Sequence, residues 1–157
     1  MSDRPSHCTS FPISDPVIHE DGDRYYWSGL YGMNNMDIDQ LVQFGRSWAY
    51  APELSITSSG AMSQGFDRSR RCYQLQNKTE KPNTVEFTVS GSKDSPIINP
   101  AFYIKNWNAE SAEVSVNGEE WKDSEIGTNH KLEGTDLVIF LWMKSDSKIR
   151  VRIVPEG

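Results

Sequence analysis

The sequence has few of the residues and motifs from which most catalytic and metal sites are built. It contains three histidines and two cysteines in 157 residues. The metal-ligand spacings HExxH, CxxC and HxH are all absent. The nucleophile elbow GxSxG, the Walker loop and the dinucleotide fingerprint GxGxxG are absent as well. We therefore expect no metal and no cofactor, and the sequence identifies no catalytic residue.

Charge and hydropathy argue against two classes of partner. Sixteen basic residues against twenty-two acidic ones give a net charge of −6, whereas phosphate binding requires a basic surface, so we expect no nucleic acid partner. The same net charge argues against simple attraction to acidic polymers, although a local basic patch can override the average. No apolar run approaches the ~20 residues of a membrane helix, so we expect no membrane partner. The first residues, Met-Ser-Asp-Arg-Pro, lack the apolar stretch of a signal peptide. The location stays open, and it would be extracellular or periplasmic if the chain is cut from a larger secreted protein.

The two cysteines, Cys8 and Cys72, are too few for a disulfide framework. One long-range bridge and two free thiols are both compatible with the sequence. The sequon Asn77-Lys78-Thr79 matters only if a eukaryotic secretory pathway makes the chain.

Alternation of apolar and polar residues dominates the chain after residue 50 and predicts an all-β protein. TVEFTVS at 84–90 places Val85, Phe87 and Val89 on one face. GTDLVIFLWMK at 134–144 is apolar on both faces, which predicts a central strand covered on both sides. Strands at this spacing with turns between them are typical of a sandwich or a barrel. We predict an antiparallel β-sandwich of the jelly-roll or supersandwich kind.

The stretch INPAFYIKNWNAESAEVSVNGEEW at 98–121 contains the strongest hairpin signal. Asn117-Gly118 suits a type I′ turn, because that turn needs two residues that tolerate positive φ. Alternation places Tyr103 and Lys105 on the face opposite the core residues of the same strand. Trp107 and Trp121 flank the hairpin, and we expect them to pack on the sheet.

Residues 1–24 are polar and carry prolines at positions 5, 12 and 16, which predicts an irregular N-terminal arm. Residues 25–157 then form the sandwich domain. MDIDQLVQFGRSWAY at 36–50 is the one plausible helix, capped by Asp37 or Asp39 and ended early by Gly45. A strand from Gln40 to Tyr50 is the alternative.

Two turns are predicted outside the hairpin. Gly65-Phe66-Asp67 has the composition of a turn, and RRCYQLQ at 70–76 alternates after it. That alternation would place Arg70 with Cys72 on one face and the following arginine on the other. His130 lies between two predicted strands, so we expect it in a surface turn.

Clustered aromatic and basic residues are the candidates for ligand binding. Sugar rings stack on exposed aromatic faces, and arginine holds carboxylate or sulfate in a bidentate fork. The alternative for the aromatics is a place in the core, and the alternative for the arginines is pairing with the protein's own acids. The candidates are Tyr25, Tyr26, Trp27, Tyr31, Trp48, Tyr50, Arg68, Arg70 and Arg71.

Several segments resemble the C-terminal β-sandwich region of large bacterial polysaccharide-degrading proteins, heparinase-like lyases among them. They are NPAFYIKNW at 99–107, VSVNG at 114–118, LEGTDLVIFLWMKS at 132–145, QLVQFGRSWAYAPEL at 40–54 and GFDRSRRCYQL at 65–75. The resemblance spans about residues 38 to 154. It implies a sandwich that accompanies a catalytic domain acting on acidic polysaccharide. That family's helical toroid, which carries most catalytic residues, is missing from this chain, so we do not expect the full activity from it.

Three functions stay open from the sequence. The first is a non-catalytic, carbohydrate-associated β-sandwich module that recognises or supports binding of polysaccharide or oligosaccharide, acidic polysaccharide above all. A catalytic domain of a parent protein would be a further partner. The second is a fragment of a lyase or hydrolase that uses Tyr, His or Asn residues of the N-terminal third, such as Tyr25, His19 or Asn34. The third is a structural or protein-interaction sandwich with no sugar site.

Overall fold

Two five-stranded sheets lie face to face in the computed structural model of the chain. It describes residues 37–132 and 134–156, together with the backbone of 19–21 and 24–26. The strands are β1 (His19–Asp21), β2 (Arg24–Tyr26), β3 (Glu53–Ile56), β4 (Ala61–Asp67), β5 (Cys72–Asn77), β6 (Val85–Ser90), β7 (Ile97–Ile98), β8 (Ala101–Lys105), β9 (Ser111–Val116), β10 (Glu119–Glu120), β11 (Ser124–Lys131), β12 (Gly134–Leu141), β13 (Lys144–Ser145) and β14 (Lys148–Glu156), and the helix α1 is Ile38–Ala49.

The first sheet has the strand order β10-β9-β14-β6-β3, and the second has the order β11-β12-β8-β5-β4. The ladders are antiparallel except that β5 and β8 pair in parallel. β7 pairs with β13, and β1 pairs with β2. The predicted all-β sandwich is therefore confirmed. The division into an arm and a domain at residue 25 stays a prediction.

The core lies between the two sheets, where the alternating strands place their apolar side chains. Val85, Phe87 and Val89 are fully buried, as the period-two pattern predicts. Phe87 contacts Phe102 of the opposite sheet with ring centroids 4.8 Å apart. The expectation that β12 is covered on both faces is wrong, because Val138 on its outer side is 41% exposed. No other described element forms a layer over that face of the second sheet.

The helix is present and the alternative strand from Gln40 to Tyr50 is wrong. Asp37 caps it: its carboxylate accepts from the Gln40 backbone N–H at 2.8 Å, and the Gln40 side chain accepts from the Asp37 N–H at 3.1 Å. Gly45 does not end the helix, although glycine costs about 1 kcal/mol relative to alanine in a helix interior. The following turn is anchored by Ser47 and Trp48, which are both buried, and this tertiary packing outweighs the local preference.

The Asn117-Gly118 hairpin is confirmed, with φ of 54° and 90° at its two central residues. The turn predicted at Gly65-Phe66-Asp67 is wrong, because β4 continues through all three residues. Gly65 instead occupies an irregularity in the β4 ladder, with φ of +93°. The chain turns at 68–71. His130 lies within β11, so its predicted surface turn is also wrong.

Two sequence features have no accessible group in the fold. Asn77 is buried, and its side-chain nitrogen donates to the Asn106 carbonyl at 3.1 Å. The nitrogen to which a glycan would be attached is therefore not accessible. Cys72 is a buried free thiol whose pKa is raised by burial. Cys8 lies outside the described residues. Among the described residues, no helix is long and apolar enough to cross a membrane.

Candidate ligand-binding face

The predicted aromatic candidates fall into two groups. The side chains of Tyr25 and Tyr26 in β2, and the whole of Trp27 and Tyr31, lie outside the described residues. Trp48 and Tyr50 are described, at the end of α1, and Tyr50 is exposed. Trp48 is 3% exposed, and its indole Nε1 donates to the Arg68 carbonyl at 2.7 Å. Its ring therefore belongs to the packing between helix and sandwich, as the alternative interpretation expected, and not to an exposed stacking surface.

The predicted arginines lie in the turn 68–71 and not on a strand, so the alternation expected for them is wrong. Arg68 is exposed, with a guanidinium nitrogen 3.5 Å from the Ala49 carbonyl. Arg70 is exposed and forms an ion pair with Asp67 at 3.7 Å, in line with the expected pairing to the protein's own acids. Their neighbour Arg71 has positive φ, 52°, and turns inward.

Arg71 acts as a clamp that joins the turn to the helix, to the end of β7 and to the loop before β8. Its guanidinium donates to the carbonyls of Ile98 at 2.5 Å and Asn99 at 3.2 Å, and to the Ser47 hydroxyl at 3.1 Å. The same group lies 4.3 Å from the centre of the Phe44 ring. Burial lowers the pKa of Arg71 to about 10, which leaves it charged at neutral pH. Its two terminal nitrogens are therefore bonded within the protein, while Nε is buried without a hydrogen-bond partner among the described residues.

The outer face of the second sheet brings together side chains that the sequence search did not combine. Five residues from the five strands stand in register across it, and we call them the central row. Gly127 is opposite Val138, which is opposite Tyr103, and Tyr103 is beside Gln74, which is opposite Gly65. Their sequence neighbours in β12, β8 and β5 point into the core. The central row therefore forms the middle of a surface that faces away from the core.

One side of the central row is aromatic. Phe140 follows Val138 on the same face of β12, and its ring packs edge-to-face against Trp142, with centroids 4.6 Å apart. Trp142 donates from its indole Nε1 to the Glu125 carboxylate at 3.2 Å. Both rings are partly exposed. They form a fixed aromatic platform with a polar rim.

The other side of the central row is polar. The Gln64 amide donates to the Gln76 side-chain oxygen at 2.6 Å, and the Lys105 ammonium donates to the Gln64 side-chain oxygen at 3.3 Å. Lys105 was expected on the face away from the core, and this is confirmed. Amides combine donors and acceptors, so this side offers both to a polar ligand.

A buried carboxylate supports the middle of the face. Asp136 is 3% exposed, and it accepts from the Asn106 backbone N–H at 3.1 Å and from the Tyr103 hydroxyl. The Lys131 ammonium pairs with Asp136 and donates to the Tyr103 oxygen at 3.0 Å. Burial pushes the pKa of Asp136 upward, but the hydrogen bonds from Lys131, Tyr103 and the backbone outweigh it, and the net pKa is lowered. The hydrogen bond to Asp136 in turn raises the pKa of Lys131.

The outer face of the first sheet has a different chemistry. Arg150 and Arg152 both pair with Glu86, at 3.0 and 3.1 Å, and the two arginine side chains are mostly exposed. Such solvated pairs are common on sheet surfaces and contribute little. Within the described part of the chain, no group of three His, Cys, Asp or Glu side chains has the arrangement of a metal site. The second sheet therefore carries the better candidate face.

Sequence reasoning missed most of this face because it looked for residue clusters along the chain. The signal that was available is the strand period, which already separates Tyr103 and Lys105 from the core. The glutamines and Asp136 give no signal of a site in the sequence, because a single polar residue on a strand is usually only a solvated side chain.

Replacing Asp136 with asparagine should lower the free energy of unfolding by about 2 kcal/mol at neutral pH, because the hydrogen bonds to a buried charge are weakened. The pKa of Asp136 is lower in the folded chain than in the unfolded chain. The stability that the ionised Asp136 carboxylate contributes is therefore fully present above about pH 4 and is lost as the pH falls through its lowered pKa in the folded chain. Urea unfolding across pH would show the two stability curves converging in acid. Glu113→Gln, on the first sheet, is the control, and a constant gap at all pH values would contradict the assignment.

No protein-family model, curated protein or solved structure matches the chain. The resemblance to the sandwich region of polysaccharide-degrading proteins therefore stays a prediction made from residues 38 to 154.

Proposed function

We propose that the chain is a non-catalytic, carbohydrate-associated β-sandwich module that binds polysaccharide, acidic polysaccharide above all, through the outer face of the second sheet. One observation supports this more than any other. An aromatic pair, Phe140 and Trp142, and a hydrogen-bonded set of amide and ammonium groups lie on either side of the same partly exposed row. All of them are on or next to strands of one sheet.

The chemistry of such a face suits sugar rings. A pyranose has an apolar face of C–H groups and a rim of hydroxyls, so it needs an aromatic surface beside donors and acceptors. Trp142 and Phe140 supply the aromatic surface, while Gln74, Gln76 and Gln64 supply amides. Strands hold these groups in place before the ligand arrives, which reduces the entropy lost on binding.

Lys105 is the basis for proposing an acidic ligand. The charge of Lys131 is balanced by Asp136, whereas the Lys105 ammonium is hydrogen-bonded to the neutral Gln64 side chain. A uronate carboxylate or a sulfate on the ligand would form a charge-assisted hydrogen bond with Lys105. An exposed pair of this kind contributes about 0.2–1 kcal/mol, so Lys105 tunes the choice of ligand and does not supply most of the affinity.

An open sheet surface also favours recognition over catalysis. Electrostatic catalysis depends on groups held in a site from which water is excluded. The side chains around Tyr103 are partly exposed, so water reaches this face. The residues Tyr25, Tyr26, Trp27 and Tyr31 remain predicted contributors to the same ligand.

The test is a glycan array of neutral, uronic and sulfated polysaccharides, probed with the purified chain. Trp142→Ala should weaken binding roughly tenfold, because an aromatic contact is worth about 0.5–1.5 kcal/mol beyond its buried area. Lys105→Gln should weaken binding of acidic polymers about threefold and leave neutral ones unchanged. The matched control is Lys148→Gln, at the start of β14 in the first sheet.

Two results would overturn the proposal. Absence of binding to every polysaccharide would reject the carbohydrate module and turn attention to a structural or protein-binding role. Ultraviolet absorbance from new unsaturated sugar product would show lyase activity and reject the non-catalytic assignment. Circular dichroism of each variant establishes that a loss of binding is not a loss of fold.

A further inference from the structure

We infer that the bound polysaccharide crosses the strands of the second sheet along the central row, so that an internal segment of the polymer, and not its end, occupies the face. The inference rests on the proposed function. It adds the direction of the ligand, its length and the consequence that the module binds within chains.

The register of the strands sets the length of the row. Gly127, Val138, Tyr103, Gln74 and Gly65 stand side by side on five neighbouring strands. Adjacent strands are about 4.8 Å apart, so the row spans about 19 Å. A sugar unit in an extended chain has about the length of one strand spacing, so the row accommodates roughly four units.

Both ends of the row are open because both are glycine. A Cβ atom added at Gly127 or Gly65 would meet no atom within 4 Å. At these two positions the sheet presents bare backbone on its edge strands, β11 and β4. A polymer lying on the row can therefore continue past either edge of the sheet without meeting a side chain of the row.

The flanks of the row argue against a ligand that runs along the strands. The aromatic pair of Phe140 and Trp142 stands on one side, and the groups around Lys105 stand on the other. A chain lying along β12 or β8 would cross both flanks. A chain lying across the strands passes the rings where it crosses β12, and it passes the ammonium and amide groups where it crosses β8, β5 and β4.

The middle of the row is fixed in place. The Tyr103 hydroxyl is bonded to Asp136 and Lys131, which hold its ring against the sheet on the polar side. Val138 beside it is short and 41% exposed. The centre of the row is thus held in one position by hydrogen bonds before a ligand arrives.

The experiment measures affinity against ligand length and blocks one end of the row. Calorimetric titration would use oligosaccharides, from mono- to hexasaccharide, of the polymer bound best on the array. We expect affinity to rise to roughly the tetrasaccharide and then to level off. Gly127→Phe places a ring at one open end, and we expect it to weaken hexasaccharide binding about tenfold with an unchanged melting temperature. The matched control is Ser115→Phe, on the outer face of the first sheet.

The outcomes separate this inference from the proposed function. A monosaccharide that binds as tightly as the hexasaccharide would overturn the cross-strand orientation. Full hexasaccharide affinity in Gly127→Phe, together with reduced affinity in Trp142→Ala, would also overturn it. Either result leaves carbohydrate binding intact. If no polymer or oligomer binds, the proposed function fails and the inference with it. The length series uses the unaltered chain, so it decides the matter even if Gly127→Phe does not fold.

Discussion

Replacing Trp107 with alanine is expected to lower the free energy of unfolding by about 3–5 kcal/mol, the range seen when a buried tryptophan or phenylalanine is removed. Trp107 is fully buried between β8 and β9 and belongs to the main core cluster. Its indole Nε1 also donates to the Ser111 carbonyl at 3.1 Å. The substitution therefore leaves a cavity and an acceptor without its donor. Urea unfolding followed by circular dichroism measures the loss.

Trp121 provides the matched control for Trp107. It flanks the same hairpin from the other side but is only partly buried, and its Nε1 donates to the carbonyl of nearby Asp123. We expect Trp121→Ala to cost less than half as much as Trp107→Ala. Equal losses for the two variants would show that Trp107 is not the core residue described here.

The second large effect is expected at Arg71, where methionine should lower the free energy of unfolding by about 3 kcal/mol. Methionine replaces the inner, apolar part of the side chain but is shorter than arginine and has no donor. Two carbonyls and the Ser47 hydroxyl lose hydrogen bonds from a charged group, each worth about 1.5–3 kcal/mol before the chain relaxes. The contact with the Phe44 ring is lost as well. Urea unfolding of the variant measures the effect.

Arg70→Met is the control for the clamp, because Arg70 is the adjacent residue in the same turn and is exposed. Its ion pair with Asp67 is on the surface, so we expect a change of at most about 0.5 kcal/mol. Arg71→Lys should recover only part of the loss, since an ammonium cannot reproduce the fork that reaches three acceptors. Comparable losses at Arg70 and Arg71 would contradict the clamp.

The variants Arg71→Met and Arg70→Met also distinguish a structural role of these arginines from a role in ligand binding. If Arg71 binds acidic polysaccharide, Arg71→Met weakens binding at temperatures where the fold is intact. The contacts of Arg71 predict unchanged binding and reduced stability. The side chains of Arg68 and Arg70 are exposed, so both can contact a ligand. The glycan array, repeated with variants of these two residues, measures their contribution to binding.

Part of the fold could be predicted from local pattern because local physics decides it. The burial of Val85, Phe87 and Val89 follows from alternation on a strand with one dry face. The hairpin at Asn117-Gly118 follows from the positive φ that its turn demands. Asp37 is one of the two predicted caps of α1, and the glutamine three residues after it completes the capping box.

Other predictions failed where distant contacts outweighed local preference. Gly45 favours the end of a helix, but the packing of Trp48 carries the helix four residues further, to Ala49. Gly65 favours a turn, but pairing with β5 keeps it in a strand as an irregularity. In each case a local cost of about 0.5–1 kcal/mol for glycine inside a helix or strand competes with contacts made elsewhere in the chain.

The sequence by itself determined which residues of each strand share a side, and so it determined the core and the separation of Tyr103 and Lys105 from it. Only the tertiary structure decided that Gly127, Val138, Tyr103, Gln74 and Gly65 form one row. The physical reason is that alternation is a property of a single strand, whereas strand order and register depend on pairing between segments far apart in sequence. The parallel pairing of β5 with β8 brings Gln74 beside Tyr103, and no local pattern in either strand encodes it.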